Sequence, residues 1–141
     1  MNRKILKSTA MLLAVLAITA CSPILRTTSM LEGEWEIEQL KEQTHGRDGA
    51  ASTNIGVITL NPDQTGSKVS SFRIMGFAAS DTIRFNWTNT ENSIIIHTEE
   101  DNGSKLWIIK EQRRNSQTWI TTDGEATMQT MKLKRISGER N

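Results

Sequence analysis

Asp81-Thr82-Ile83-Arg84-Phe85-Asn86-Trp87-Thr88 sets Ile83, Phe85 and Trp87 in alternation with Arg84, Asn86 and Thr88. Successive side chains of a strand point to opposite faces, so this pattern predicts a half-buried β-strand with Ile83, Phe85 and Trp87 turned inward. Similar short runs occupy residues 34–41, 55–60 and 67–74 before it, and 93–98, 104–111, 117–122 and 125–136 after it. They are separated by turn-forming clusters such as Asn61-Pro62-Asp63-Gln64-Thr65-Gly66 and Glu99-Glu100-Asp101-Asn102-Gly103. Short β-rich runs at roughly 10-residue spacing point to an all-β fold. Connections this short force neighbouring strands to be antiparallel. The expectation is an up-and-down antiparallel barrel of about eight strands, with a two-sheet β-sandwich as the alternative.

Individual runs carry finer expectations. The first should bring Trp35, Ile37 and Gln39 to one face. Residues 67–74, with Val69 and Phe72, lack strict alternation, which suggests a bulge. Ile94-Ile95-Ile96 and Leu106-Trp107-Ile108-Ile109 are apolar on both faces, as in central strands covered in part from outside. Trp107 faces opposite Leu106 and Ile108, so its side of the sheet is open to either reading. Helical periodicity is confined to one turn at residues 28–32.

The N-terminus has a separate character. Arg3, Lys4 and Lys7 precede the apolar run Ala10-Met11-Leu12-Leu13-Ala14-Val15-Leu16-Ala17-Ile18, the basic and apolar regions of an export signal. A membrane-spanning helix needs about 20 apolar residues, and this run ends well short of that. Ile18-Thr19-Ala20-Cys21 resembles the lipobox of bacterial lipoproteins. The resemblance implies cleavage after residue 20 and lipidation of Cys21, the sole cysteine. Several acyl chains on one residue give stable anchoring, each buried methylene contributing about 0.8 kcal/mol. Residues 21–29 then read as the lipidated cysteine and a short tether, and residues 30–141 as one domain. Ser22 after the cysteine, by resemblance to the sorting rule of enteric bacteria, favours the outer membrane within the cell envelope.

Removing residues 1–20 takes three basic and no acidic side chains from 17 Lys/Arg and 16 Asp/Glu, which leaves a balance of −2. So even a charge offers nucleic acid no electrostatic footprint. The single lipidated cysteine leaves no disulfide, and the domain must be stable through its core.

Gly33-Glu34-Trp35, at the opening of the first strand, resembles the Gly-x-Trp motif of lipocalins and other calycins. The resemblance implies that Trp35 plugs the closed end of the barrel and Gly33 allows the turn into the strand. It further implies a basic side chain from the last strand across the indole, with Arg135 as the candidate and Lys132 or Lys134 as alternatives. An up-and-down order also sorts the connections onto two rims. Residues 41–54, 75–80, 99–103 and 123–124 share one rim, whereas 61–66, 89–92 and 112–116 share the other. The first holds the long Gly-rich connection and the apolar stretch Met75-Gly76-Phe77-Ala78-Ala79, so it reads as a mouth with 41–54 as a lid. His45, Met75, Phe77, Trp87 and Trp107 are the candidate ligand or partner residues.

Catalytic and metal signatures are weak. No Gly-x-Ser-x-Gly turn, phosphate loop or dinucleotide fingerprint occurs. Structural zinc takes four N or S ligands, whereas this chain offers His45, His97 and a single cysteine. The expected function is a non-enzymatic lipoprotein without cofactor or metal, binding a small apolar ligand or peptide at one rim. The alternative is an envelope interaction or inhibitor module with a filled barrel.

Overall fold

The structure, a computed structural model, describes residues 22–47, 49–100, 103–122, 124 and 127–137. The export signal and Cys21 lie outside them. Helix α1 (Pro23–Leu31) is followed by eight strands: β1 (Gly33–Thr44), β2 (Ala50–Leu60), β3 (Thr65–Ile74), β4 (Phe77–Asn89), β5 (Ser93–Thr98), β6 (Gly103–Gln112), β7 (Ser116–Thr122) and β8 (Thr127–Ser137). Each strand pairs antiparallel with the next, and β8 returns to β1, closing the barrel. Closure rules out the sandwich alternative, because it leaves no unpaired sheet edge.

The inward face of the lower half is apolar. Trp35, Ile37, Ile58, Leu60, Phe85, Trp87, Ile94, Trp107, Trp119, Met131 and Leu133 are buried in one cluster that also takes in Leu31 of α1. The expected inward set Ile83, Phe85 and Trp87 is thus part of a β4 strand longer than its clean alternation. Register with β8 shifts between Ile37 and Gln39. The bulge gives Leu40, opposite Met131, the core position that uninterrupted alternation would have assigned to Gln39.

Five expectations are corrected here. The tether is structured: residues 23–31 form α1, with Thr27 and Leu31 buried. Pro23 sits in the first turn, where its missing N–H costs no helical hydrogen bond. The long lid is largely strand, since β1 runs on to Thr44 and β2 begins at Ala50, with Glu42 opposite Ala50. These residues show no apolar alternation because they rise above the packed core, where strand pairing with each other and with β8 holds them. Likewise β3 and β4 run to a two-residue turn, Met75 (φ 49°) and Gly76 (φ 87°), whose left-handed angles match the twist of a tight hairpin. The bulge expected in residues 67–74 is absent, for β3 pairs with β4 in unbroken register from Thr65 to Ile74. Finally, no described segment covers β6 from outside: Leu106 and Ile108 are 50% and 53% exposed, while Trp107 is buried.

The turn Asn61-Pro62-Asp63-Gln64 is held by its own side chains. The Asp63 carboxylate accepts from the Thr65 hydroxyl at 2.6 Å and the Thr65 N–H at 3.0 Å. Those bonds hold its pKa below the usual carboxylate value.

Gly56 marks a close approach of β2 to β3. It has φ +157°, and a Cβ there would lie 2.0 Å from the Val69 carbonyl oxygen. Gly56→Ala should therefore lower stability by about 1–3 kcal/mol through backbone strain and part β2 from β3. Urea denaturation would measure it, and an unchanged midpoint would contradict the assigned geometry.

Candidate functional site: a plugged end and an open cavity

The two barrel ends are built differently. At the lower end, α1 lies under the barrel and its C-terminal carbonyls need donors, because the last four C=O groups of a helix have no helical partner. Side chains from three strands supply them. The Trp35 indole N–H donates to Leu31 O at 2.8 Å, Gln117 Nε2 donates to Met30 O at 2.9 Å, and Arg135 donates to Met30 O at 2.9 Å and Glu32 O at 2.8 Å. Gln117 Oε1 in turn accepts the Trp119 indole N–H at 2.7 Å. Midway along α1, the Thr27 hydroxyl donates to Glu91 O at 2.8 Å.

The Arg135 guanidinium also stacks over Trp35, 4.1 Å from the ring centroid, and Arg135 Nε donates to Arg114 O at 2.7 Å. Burial first, and the charge of Arg114 second, push its pKa down from the ordinary arginine value. Lys132 and Lys134 point outward and are exposed. Arg135 shares the inward parity of Met131 and Leu133, which explains why it, rather than either lysine, reaches the indole. Gly33, at φ +126°, makes the bend from α1 into β1 that an L side chain rarely adopts.

The upper end is open. A cavity of about 310 Å³ lies within the barrel, lined by apolar side chains of Ile58, Ile83, Phe85, Ile96, Trp107 and Met131. Its upper wall is polar: Lys68, Thr98 and Lys105 also line it. Lys105 Nζ is 5.0 Å from the Trp107 ring centroid and donates to Gln129 Oε1 at 2.6 Å, while Gln129 Nε2 donates to Glu42 Oε2 at 3.1 Å.

The rim candidates separate accordingly. Trp107 lines the cavity floor. Trp87 is fully buried below it, its indole N–H donating to Thr65 O at 3.0 Å, and so belongs to the core rather than the rim. His45 lies exposed in the β1–β2 turn, and Met75 is 94% exposed at the tip of the β3–β4 hairpin. Phe77 opens β4 opposite Ile74. All three belong to the open end, and His45 and Met75 stand outside the cavity lining. His97 points away from the cavity, its Nδ1 2.6 Å from the Ser104 hydroxyl. Among the described residues no group of three His, Cys, Asp or Glu side chains is placed to hold a metal ion.

Lys68, Lys105 and Gln129 were not singled out by sequence reasoning. A signal was present: run 67–74 fails to alternate because its inward positions include Lys68 and Ser70, opposite Ile58 and Gly56. Polar residues at inward positions mark the end of the packed core and the start of the cavity wall.

A closed eight-stranded meander with one plugged and one open end defines a cup-shaped barrel of the calycin type. The lipocalin-like domain family matches residues 31–115, and the chain belongs to that family. Solved structures with a similar fold include a redesigned β-barrel (16% identity, 78% of this chain and 95% of that one, TM-score 0.45). Others are bovine odorant-binding protein in complex with undecanal (14%, 79% and 74%, TM-score 0.44) and the siderocalin Ex-FABP (13%, 79% and 77%, TM-score 0.46). Among curated proteins none matches the chain.

Proposed function

We propose that the protein is a non-enzymatic, lipid-anchored envelope lipoprotein whose barrel holds a small apolar ligand in the cavity above Trp107. The observation that carries the binding reading is that cavity, about 310 Å³ with Ile58, Ile83, Phe85, Ile96, Trp107 and Met131 in its wall. Small-molecule sites are concave, mostly apolar and about 300–1,000 Å³ in volume. This one stands at the small end of that range, which favours a compact ligand over a peptide. Native mass spectrometry of the purified protein, with titration of an uncharged naphthylamine fluorophore, tests the reading. One equivalent of copurified ligand or of displaceable probe is expected; a protein that takes up neither is a filled scaffold.

The anchor reading is supported by the export signal and by Ile18-Thr19-Ala20-Cys21. Because α1 begins at Pro23 beneath the plugged end, lipid on Cys21 would turn that end toward the bilayer and the mouth toward water. Ile24 and Leu25, both exposed on α1, would then face the lipid surface. The Cys21→Ser variant should lose all incorporation of labelled palmitate and accumulate as precursor. A labelled, processed Ser variant would refute lipidation at this residue.

A second reading, docking to another envelope protein, has its own observation. Leu106 and Ile108 are exposed on the outer wall beside Ile95 and Ile120, an arrangement typical of contact surfaces. A photocrosslinker at position 106 that captures one envelope protein in cells would support it.

A further inference from the structure

We infer that the open edge of β4 at residues 77–84 takes up an extended peptide with a basic N-terminal end, which adds to the sheet antiparallel to β4. This surface lies on the wall of the mouth, and its use does not depend on what fills the cavity.

β4 is longer than the strand on one of its sides. Toward β3 it is paired along its upper length in unbroken register, from Phe77 opposite Ile74 to Asn86 opposite Thr65. Toward β5 the pairing runs only from Phe85 opposite Thr98 to Asn89 opposite Ile94. Thr98 then faces Gly103, where β6 begins. Residues 77–84 therefore stand above the β5–β6 hairpin, and among the described residues no strand lies beside them.

One hydrogen bond fixes where the backbone groups point. Trp87 N–H donates to Gln64 O, on the β3 side, at 2.8 Å. Backbone groups alternate in direction along a strand, so odd-numbered residues of β4 face β3 and even-numbered ones face the β5 side. Ala78, Ser80, Thr82 and Arg84 thus turn their N–H and C=O groups to the open side, where nothing among the described residues bonds them. Such a row is a template for another strand, and proline, lysine or a bulge usually blunts it. Residues 77–84 hold no proline or lysine and pair with β3 without a bulge. Main-chain hydrogen bonds to an edge of this kind hold extended peptides in strand-addition complexes.

Charge selects the partner and its direction. On the edge itself Asp81 and Arg84 are both exposed and offset each other. The turn beneath adds Glu99 and Glu100, exposed and in no ion pair among the described residues. Lys68 lies beyond β4, on β3, and Lys105 is bonded to Gln129 of β8. The slot is therefore net acidic, most of all at its lower end. A peptide antiparallel to β4 follows the line of β5 upward, so its ammonium and first side chains lie beside Glu99 and Glu100. A parallel peptide would bring its carboxylate there instead.

The test is amide hydrogen exchange of the intact protein, read by NMR, with the synthetic peptides KKVTVTV and EEVTVTV, each with a free amine and an amidated C-terminus. KKVTVTV should slow exchange at Ala78, Ser80, Thr82 and Arg84 and leave Ala79, Asp81 and Ile83, which face β3, unchanged. It should bind about tenfold or more tighter than EEVTVTV at low salt, where exposed charges act most strongly. That gap should close in the Glu99→Gln/Glu100→Gln variant. Ser80→Pro removes an N–H on the open side only, a place where a strand tolerates proline, and should lose the peptide. Should that variant not fold, N-methylation of KKVTVTV makes the same test: one alternate set of methyls abolishes binding and the other leaves it. Protection absent with both peptides, or found away from the four even-numbered residues, would overturn strand addition. Equal protection by both peptides would overturn the basic partner. Protection of the four amides without peptide, rising with protein concentration, would assign the edge to a second copy and refute the peptide.

Discussion

Trp35→Ala is expected to lower stability by about 3–5 kcal/mol, the range for truncating a buried tryptophan or phenylalanine. Much of the barrel's lower end depends on this one side chain. Its ring is fully buried against the core, its N–H satisfies Leu31 O, and its face carries the Arg135 guanidinium. Removing it leaves a cavity under the sheet, an orphaned carbonyl at the end of α1, and an arginine without its platform. A cation over an aromatic face contributes about 0.5–2 kcal/mol. The Arg135→Ala variant should then cost roughly 2 kcal/mol, because Met30 and Glu32 carbonyls lose donors as well. The two losses overlap, so the double variant should be less destabilised than the sum, as expected for residues in direct contact. Guanidinium unfolding of all four proteins checks this. Strict additivity would mean that Trp35 and Arg135 act independently of each other and that the plug is not a unit.

The parts of this fold legible in the sequence are those where one physical demand acts alone. Ile83, Phe85 and Trp87 alternate because one face of β4 meets the core and the other meets water, and that pattern survives into the structure. The connection lengths announced an antiparallel meander, and closure of that meander follows in the structure. The division of rims was legible for the same reason: loops of a meander must alternate between its ends. Misreadings came where two demands compete. At the tops of β1–β2 and β3–β4 the strands persist on backbone hydrogen bonds with little apolar burial, so hydropathy could not see them and reported loops. In α1 the reverse holds: its helix survives because Thr27, Met30 and Glu32 are bonded, and Leu31 is packed, by residues far along the chain. No local pattern encodes that. The cavity wall was the hardest to read, since Lys68 looks from sequence alone like an outward lysine on a poor strand. It becomes informative only when the register with Ile58 and Ile83 fixes its direction.

Filling the cavity separates carrier from scaffold more directly than removing any one ligand contact, and Ile96→Trp is the variant to make. Ile96 points inward opposite Trp87 and Lys105, packs against the edge of the core, and lines the space above Trp107. An indole there would occupy volume that is open in the native barrel. Void space in a core costs about 24 cal/mol per Å³, so filling it should hold or raise the melting temperature, unless the ring is forced off its rotamer at about 1–3 kcal/mol. Leu106→Trp, the same kind of enlargement on the outward face of β6, is the control. With a ligand inside the barrel, Ile96→Trp should weaken probe binding about a hundredfold or more, roughly 2.7 kcal/mol, while Leu106→Trp leaves it unchanged. The opposite pattern, with binding lost only in Leu106→Trp, would move the functional surface to the outer wall of β5, β6 and β7. The barrel would then serve as a scaffold for the apolar face that Leu106 and Ile108 expose.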